Sequence, residues 1–279
     1  RRWKKKRQGE RMEKMIGQHN ATADTGTGGD AQVTLDDLRQ KFSAGIRKFK
    51  EHGHNLYVLP WYMMIGEPGS GKSEAIRRSS IGFPPGMQEE QQGAGGTVNM
   101  DWWFTNDAVI LDTAGKMVFE EESEGGSREF QEFLRLLRRS RPNCPVNGLI
   151  LAIPTDSLIR DNAAQIEEKA KKFATRINEI REAVDVRFPV YVLVTKADLL
   201  AGFREYFRNL EDPELEHQMI GWSNPDLEES FDPERVDEYL EDLIDSLKLH
   251  SVTFLQDPIP DHPDDPNDRW INYVDSMFA

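Results

Sequence analysis

Residues 61–73 read Trp61-Tyr62-Met63-Met64-Ile65-Gly66-Glu67-Pro68-Gly69-Ser70-Gly71-Lys72-Ser73, an apolar run that passes directly into a glycine-rich turn ending in Lys-Ser. Five apolar residues in a row suit a central strand buried on both faces, and Pro60 confines that strand to residues 61–65. The turn carries the pattern Gly-x4-Gly-Lys-Ser, whose backbone N–H groups ring phosphate oxygens at the start of a following helix. Gly66, Gly69 and Gly71 let the backbone turn tightly and come close to an anion without a Cβ in the way. Lys72 is expected to reach the β and γ phosphates of a nucleoside triphosphate, and Ser73 to give its hydroxyl to Mg²⁺. The candidate nucleotide-binding residues here are therefore Gly66, Glu67, Pro68, Gly69, Ser70, Gly71, Lys72 and Ser73, with a helix starting near Lys72.

Further along the chain, Val98 to Phe104 and Ala108 to Asp112 read as two strands joined by Thr105-Asn106-Asp107, a hairpin. A helix is expected around 127–140, a buried strand over Gly148–Ile153, then a long helix. In that helix Ile166, Ala170, Phe173, Ile177 and Ile180 form one apolar stripe, read as core. Pro189–Val194 follows as a further buried strand. Strands alternating with helices imply an α/β fold: a mostly parallel sheet flanked by helices, with right-handed crossovers and a ligand site at the carboxyl ends of the strands.

Two more motifs fall at such strand ends. Asp112-Thr113-Ala114-Gly115 closes the hairpin, where Asp112 can hold Mg²⁺ directly or through water and Gly115 can offer its N–H to the γ phosphate. Thr195-Lys196-Ala197-Asp198 ends the last strong strand, where a base would rest. There Asp198 could accept from the ring N–H and exocyclic amine of guanine, which favours GTP over ATP. An ordinary helix cap is the plain alternative for Asp198.

Upstream, residues 17–32 read as a linker and Leu35 to Lys50 as an amphipathic helix capped by Thr34 or Asp36. Residues 33–200 are expected to form the phosphate-loop domain and residues 201–256 a helical extension. In that extension Val236, Tyr239, Leu240, Leu243 and Leu247 share a face, and Ser251 to Leu255 reads as a last edge strand. Residues 257–279 form a Pro/Asp-rich tail.

The net charge of −14 hides a basic start: residues 1–15 carry +6, leaving −20 for the rest, a balance that excludes a nucleic-acid groove. Cys144 is the single cysteine, so no intrachain disulfide forms and a reducing compartment fits. No run is long and apolar enough to span a bilayer. The chain begins with Arg1, not Met. Arg1-Arg2-Trp3-Lys4-Lys5-Lys6-Arg7 is expected to be the cytoplasmic flank of a transmembrane helix lying before it, a solvated basic tail being the alternative. His52-Gly53-His54 lacks a third ligand and is read as loop. Of Trp102 and Trp103, on opposite faces of a strand, one is expected in the core and the other toward a partner.

The three phosphate-site motifs, in this order, resemble the G-domain class of P-loop NTPases. That resemblance puts Thr97, after Gly95-Gly96, where a switch threonine meets Mg²⁺. It implies a catalytic set of Lys72, Thr97 and Asp112 and a metal set of Ser73, Thr97 and Asp112. Leu59-Pro60-Trp61-Tyr62 leading into the loop, Val98–Phe104, Val109–Gly115, Phe133–Leu137, Pro145–Leu151 and Pro189–Asp198 are together similar to the cytoplasmic domain of the TssM/IcmF family, over roughly residues 56–210. The resemblance implies an inner-membrane component of the type VI secretion system on the cytoplasmic face, with other membrane and baseplate components as partners. It implies GTP or ATP with Mg²⁺ as ligands and a switch role. The tail after about residue 215 fits the family pattern less clearly. Lys116 stands where many GTPases carry the Gln that orients water, so hydrolysis is expected to be slow or partner-dependent. A nucleotide-degenerate docking scaffold and a soluble regulatory GTPase are the competing readings.

Overall fold

The computed structural model describes residues 29–51, 55–79, 81–82, 100–119, 124–207, 220–224 and 232–254. At its centre lies strand β1 (Trp61–Gly66), which begins right after Pro60. The hairpin forms as its turn chemistry requires, β2 (Met100–Phe104) running antiparallel to β3 (Val109–Thr113). Thr105 closes the turn, its Oγ1 donating to Ala108 O at 2.8 Å and accepting from Ala108 N at 2.9 Å. With β4 (Gly148–Pro154) and β5 (Val190–Thr195), the sheet has the order β2-β3-β1-β4-β5, parallel except at β2.

Among the described residues, the helices that join and flank these strands are α1 (Gly29–Glu51), α2 (Lys72–Arg78), α3 (Gly115–Phe119), α4 (Glu124–Ser140), α5 (Thr155–Arg160), α6 (Ala163–Val184), α7 (Phe203–Phe207) and α8 (Pro233–Phe254). Alternation along the strands divides the apolar residues between two faces. Trp61, Met63 and Ile65 join Trp102, Phe104, Leu149 and Leu151 in the larger cluster, covered by Leu38, Phe42 and Phe49 of α1, Phe130 and Phe133 of α4, and Phe173 and Ile180 of α6. Met64, Ile110, Trp103 and Ala152 face the other way, against Ile76 of α2.

Several expectations need correction. Helix α1 starts at Gly29, before Leu35, so residues 29–32 of the expected linker are helical and Thr34 and Asp36 lie inside the helix instead of capping it. The Ala-Gln-Val run there has helix-forming residues and no proline to stop it. Strand β5 is an edge, not a buried strand: Val190, Tyr191, Val192 and Val194 are all exposed. The α6 stripe is core only in its C-terminal part, where Phe173 and Ile180 are buried, while Ile166 and Ala170 face solvent. Trp103 is as buried as Trp102, because α2 covers its face of the sheet. Ser251 to Phe254 continue α8 as helix, since no glycine or proline separates them from the preceding periodic run. Along α8, Val236, Tyr239, Leu243 and Leu247 are half-buried and Leu240 is exposed. Thr97, Val98, His52, His54, the basic start and the Pro/Asp-rich tail lie outside the described residues. Among the described residues no helix is long and apolar enough to cross a membrane.

Helix α1 reaches the sheet through Gly45, packed flat on Trp102. A Cβ there would fall 2.3 Å from the indole ring, a clash that only displacement of a core tryptophan can relieve. Gly45→Ala is expected to destabilise the fold by about 1–3 kcal/mol through overpacking, seen as a lower midpoint in equilibrium urea unfolding.

Candidate functional site

Four parallel strands end side by side, and their carboxyl ends build the site. From β1 comes the loop 66–73, with Gly69 and Gly71 in the left-handed region at φ 73° and 80°. From β3 come Asp112 and Gly115, from β4 Thr155, and from β5 Thr195 and Lys196.

Close packing fixes the loop. A Cβ on Gly66 would meet Ala152 O at 2.5 Å, and one on Gly115 would meet Pro68 N at 2.4 Å. Thr195 Oγ1 donates to Ser70 O at 2.5 Å, and Thr155 Oγ1 donates to Thr195 O at 2.8 Å. Thr113 Oγ1 donates to Met64 O at 2.8 Å, tying β3 to β1 just below the loop. The sequence placed Thr195 and Thr113 in site motifs, but not in these hydrogen bonds, and it did not single out Thr155.

Inside the loop the Lys72 ammonium is buried and donates to Gly66 O at 2.9 Å, Glu67 O at 3.1 Å and Ser70 Oγ at 3.2 Å. Burial lowers its pKa, and the Asp112 charge partly offsets this. Ser73 Oγ donates to Asp112 Oδ2 at 2.5 Å, so the two residues expected to share a cation already touch. Asp112 is fully buried, and burial raises its pKa against the opposing hydrogen bond from Ser73 and charge of Lys72. Asp101, directly opposite it across the hairpin, pushes the same way as burial.

Gly66–Ser73, Asp112, Gly115, Thr195 and Lys196 are thus brought together. Lys196 lies over the loop, its Cγ 3.7 Å from where a Gly71 Cβ would be, and its ammonium pairs with Asp156 at 3.3 Å. Asp198 stands at the margin, exposed on the 3₁₀ turn Ala197–Leu199 and paired with Arg204 at 2.7 Å. That hydrogen bond holds its carboxyl below the usual range. Arg77 and Arg78 pair with Glu74 at the surface of α2. Lys116 is exposed at the start of α3.

Sequence reasoning also missed Lys169. Its ammonium lies 3.2 Å from Glu67 Oε2, 2.6 Å from Ser157 Oγ and 2.6 Å from Asp161 Oδ2. Only its position in α6, one residue from the expected apolar stripe, could have drawn attention to it.

The family model of the IcmF-related N-terminal domain matches residues 123–267, just over half of the sequence. The chain belongs to the IcmF-related family. The match runs well past residue 215, so the later part of the chain fits the family after all. It begins after the loop, so the phosphate-site motifs at 66–73 and 112–115 lie outside it. The chain is also 41% identical over 189 residues to the type VI secretion system component TssM1 of Pseudomonas aeruginosa, an alignment covering 65% of this chain and 17% of that protein. It therefore spans only a small part of the length of that relative.

The raised pKa of Asp112 has a measurable consequence. The folded chain holds a proton on Asp112 at pH values where the unfolded chain has lost it, so stability falls as pH rises from the ordinary carboxylate range through the folded value. Asp112→Asn cannot ionise. It is expected to melt at a higher temperature than the parent near pH 7, with the gap closing toward about pH 4, in thermal unfolding without added ligand.

Proposed function

We propose that the chain is the nucleoside-triphosphate-binding, cytoplasmic domain of a type VI secretion membrane-complex protein, acting as a switch in assembly or secretion. One observation carries the nucleotide reading: a buried Lys72 ammonium sits within a glycine loop, next to a Ser73 hydroxyl already bonded to Asp112. No structural need calls for burying that ammonium on backbone carbonyls, whereas a polyphosphate would replace those carbonyls with charged partners.

The donor set also fits Mg²⁺. A hydroxyl and a carboxylate are hard oxygen ligands, and Mg²⁺ takes few protein ligands beside water and phosphate. Ser73 and Asp112 would hold it, with Thr97 as a third ligand on the G-domain resemblance. When bound, the ion supplies positive charge against the β and γ phosphate oxygens. Lys72 would bind the same oxygens, Gly115 would donate its N–H to the γ phosphate, and Thr195, Lys196 and Asp198 would border the base. For Asp198 to read guanine, it must exchange its Arg204 partner for the base. GTP and ATP therefore both stand as ligands.

The secretion role rests on family membership and on the likeness to TssM1, with membrane anchoring through segments outside this sequence. A second reading, a docking scaffold with slow or no turnover, is favoured by the exposed Lys116 in the place of a water-orienting Gln.

Equilibrium titration of the chain with Mg-GTP and Mg-ATP tests the first reading. Binding of at least one nucleotide is expected, together with its loss, by about a hundredfold or more, in Lys72→Ala. If neither nucleotide binds at high micromolar concentration, the nucleotide reading fails. Single-turnover hydrolysis, with and without secretion-complex membrane components, separates switch from scaffold.

A further inference from the structure

Lys169 lies outside every phosphate-site motif, yet it is the side chain that meets the loop's own carboxylate. Glu67 follows Gly66 in the loop, and its carbonyl accepts from Lys72 while its carboxylate meets Lys169. The Lys169 ammonium is held from three directions at once: by Glu67 of the loop, by Ser157 of α5, and by Asp161, the residue after α5. Asp161 Oδ2 in turn accepts from Ser157 Oγ at 2.7 Å, so the cluster is closed on itself. Both ends of the Glu67–Lys169 pair are less than a third exposed. They line a cavity of about 130 Å³ with Pro68, Phe119, Lys172 and Phe173.

This differs from an ordinary surface ion pair, which contributes little because two mobile chains must be ordered for one screened contact. Here one ammonium serves two carboxylates and a hydroxyl. Burial works against its charge, but the hydrogen bonds with Asp161 and Glu67 together outweigh it, leaving the Lys169 pKa above its ordinary value.

A carboxylate built into a loop that receives a polyphosphate is unfavourable by charge alone, because like charges at close range repel in a partly desolvated setting. We propose that Lys169 is a positioning residue of the nucleotide site: it neutralises Glu67 and ties the loop to α5 and α6, so that the loop accepts a triphosphate. The proposal rests on the nucleotide reading above.

The test measures dissociation constants for Mg-GTP and Mg-ATP with the full 279-residue chain, comparing wild type, Lys169→Met, Lys169→Arg and the double variant Glu67→Gln/Lys169→Met. The melting temperature of each is measured alongside. Lys169→Met is expected to weaken binding by about three- to tenfold, the scale of one uncompensated charge near the site, with a lower melting temperature because Glu67 and Asp161 both lose their partner. Lys169→Arg keeps the charge and retains most of the affinity. The double variant removes the carboxylate together with its partner and recovers most of the loss. A merely structural lysine would show no such rescue.

Unchanged affinity in Lys169→Met overturns the proposal, and so does a double variant as weak as the single one. If Lys169→Met does not fold, Lys169→Gln, alone and with Glu67→Gln, carries the same comparison. If the wild type binds neither nucleotide, the nucleotide reading and this inference both fall, an outcome visible in the wild-type arm alone.

Discussion

Between Gly115 and the backbone of Pro68 there is no room for a methyl group, and the same holds between Gly66 and the carbonyl of Ala152. The loop after β1 is therefore confined by the ends of β3 and β4, while Thr195 at the end of β5 donates to its Ser70 carbonyl. Four parallel strands must end level with one another for these contacts to coexist. The registers Met64↔Asp112, Gly66↔Ala152 and Pro154↔Thr195 provide that alignment. The core on both faces of the sheet then acts as the support for one loop. Apolar burial fixes the strands, the strands fix their ends, and the ends leave the loop a single path.

Within that path the charges are poorly accommodated. Burial lowers the pKa of Lys72 and raises that of Asp112, so each ionised form is disfavoured by its surroundings and favoured by the other. Hydrophobic side chains of similar volume would often be no less stable in such a place. The glycines at φ 73° and 80° add a backbone conformation that other residues adopt with difficulty. Strain and buried charge in one short segment, on an otherwise regular sheet, are what local rules of folding disfavour and functional sites commonly retain.

The central strand, the hairpin and the loop were legible because their signals are local. Pro60 marks the start of β1, Thr105-Asn106-Asp107 marks the turn, and Gly-x4-Gly-Lys-Ser fixes a backbone path by itself. Asp112 and Gly115 were legible by position, as residues at the end of a strand beside that loop. What could not be read was set by neighbours distant in sequence. Trp103 joins Met64, Ile110, Ala152 and Ile76 of α2 in one buried cluster, a grouping no periodicity encodes. Lys169 meets Glu67 across a separation of 102 residues. Arg141, just past the end of α4, is buried over the Trp61 ring at 4.6 Å and donates to Asn147 Oδ1, a placement that nothing in its local sequence marks. The family match also runs further than the quoted motifs suggested, to residue 267.

Strand β5 shows most clearly where a pattern argument stops. Val-Tyr-Val-Leu-Val has the composition of a strand buried on both faces, and β4, of like composition, is so buried. The difference lies in what stands beside each strand, which composition does not report. In a strand, the N–H and C=O of one residue point to the same side. Pro189 O accepts from Leu149 N toward β4, so Tyr191 and Leu193 follow it inward, and the backbone of Val190, Val192 and Val194 faces the outer edge. The side chains of those valines share a face with Leu149, Leu151 and Ile153, their partners in register, yet remain exposed because the helices on that face lie over the middle of the sheet. An apolar run thus measures how a strand would prefer to be covered, and only the arrangement of the other elements determines whether it is.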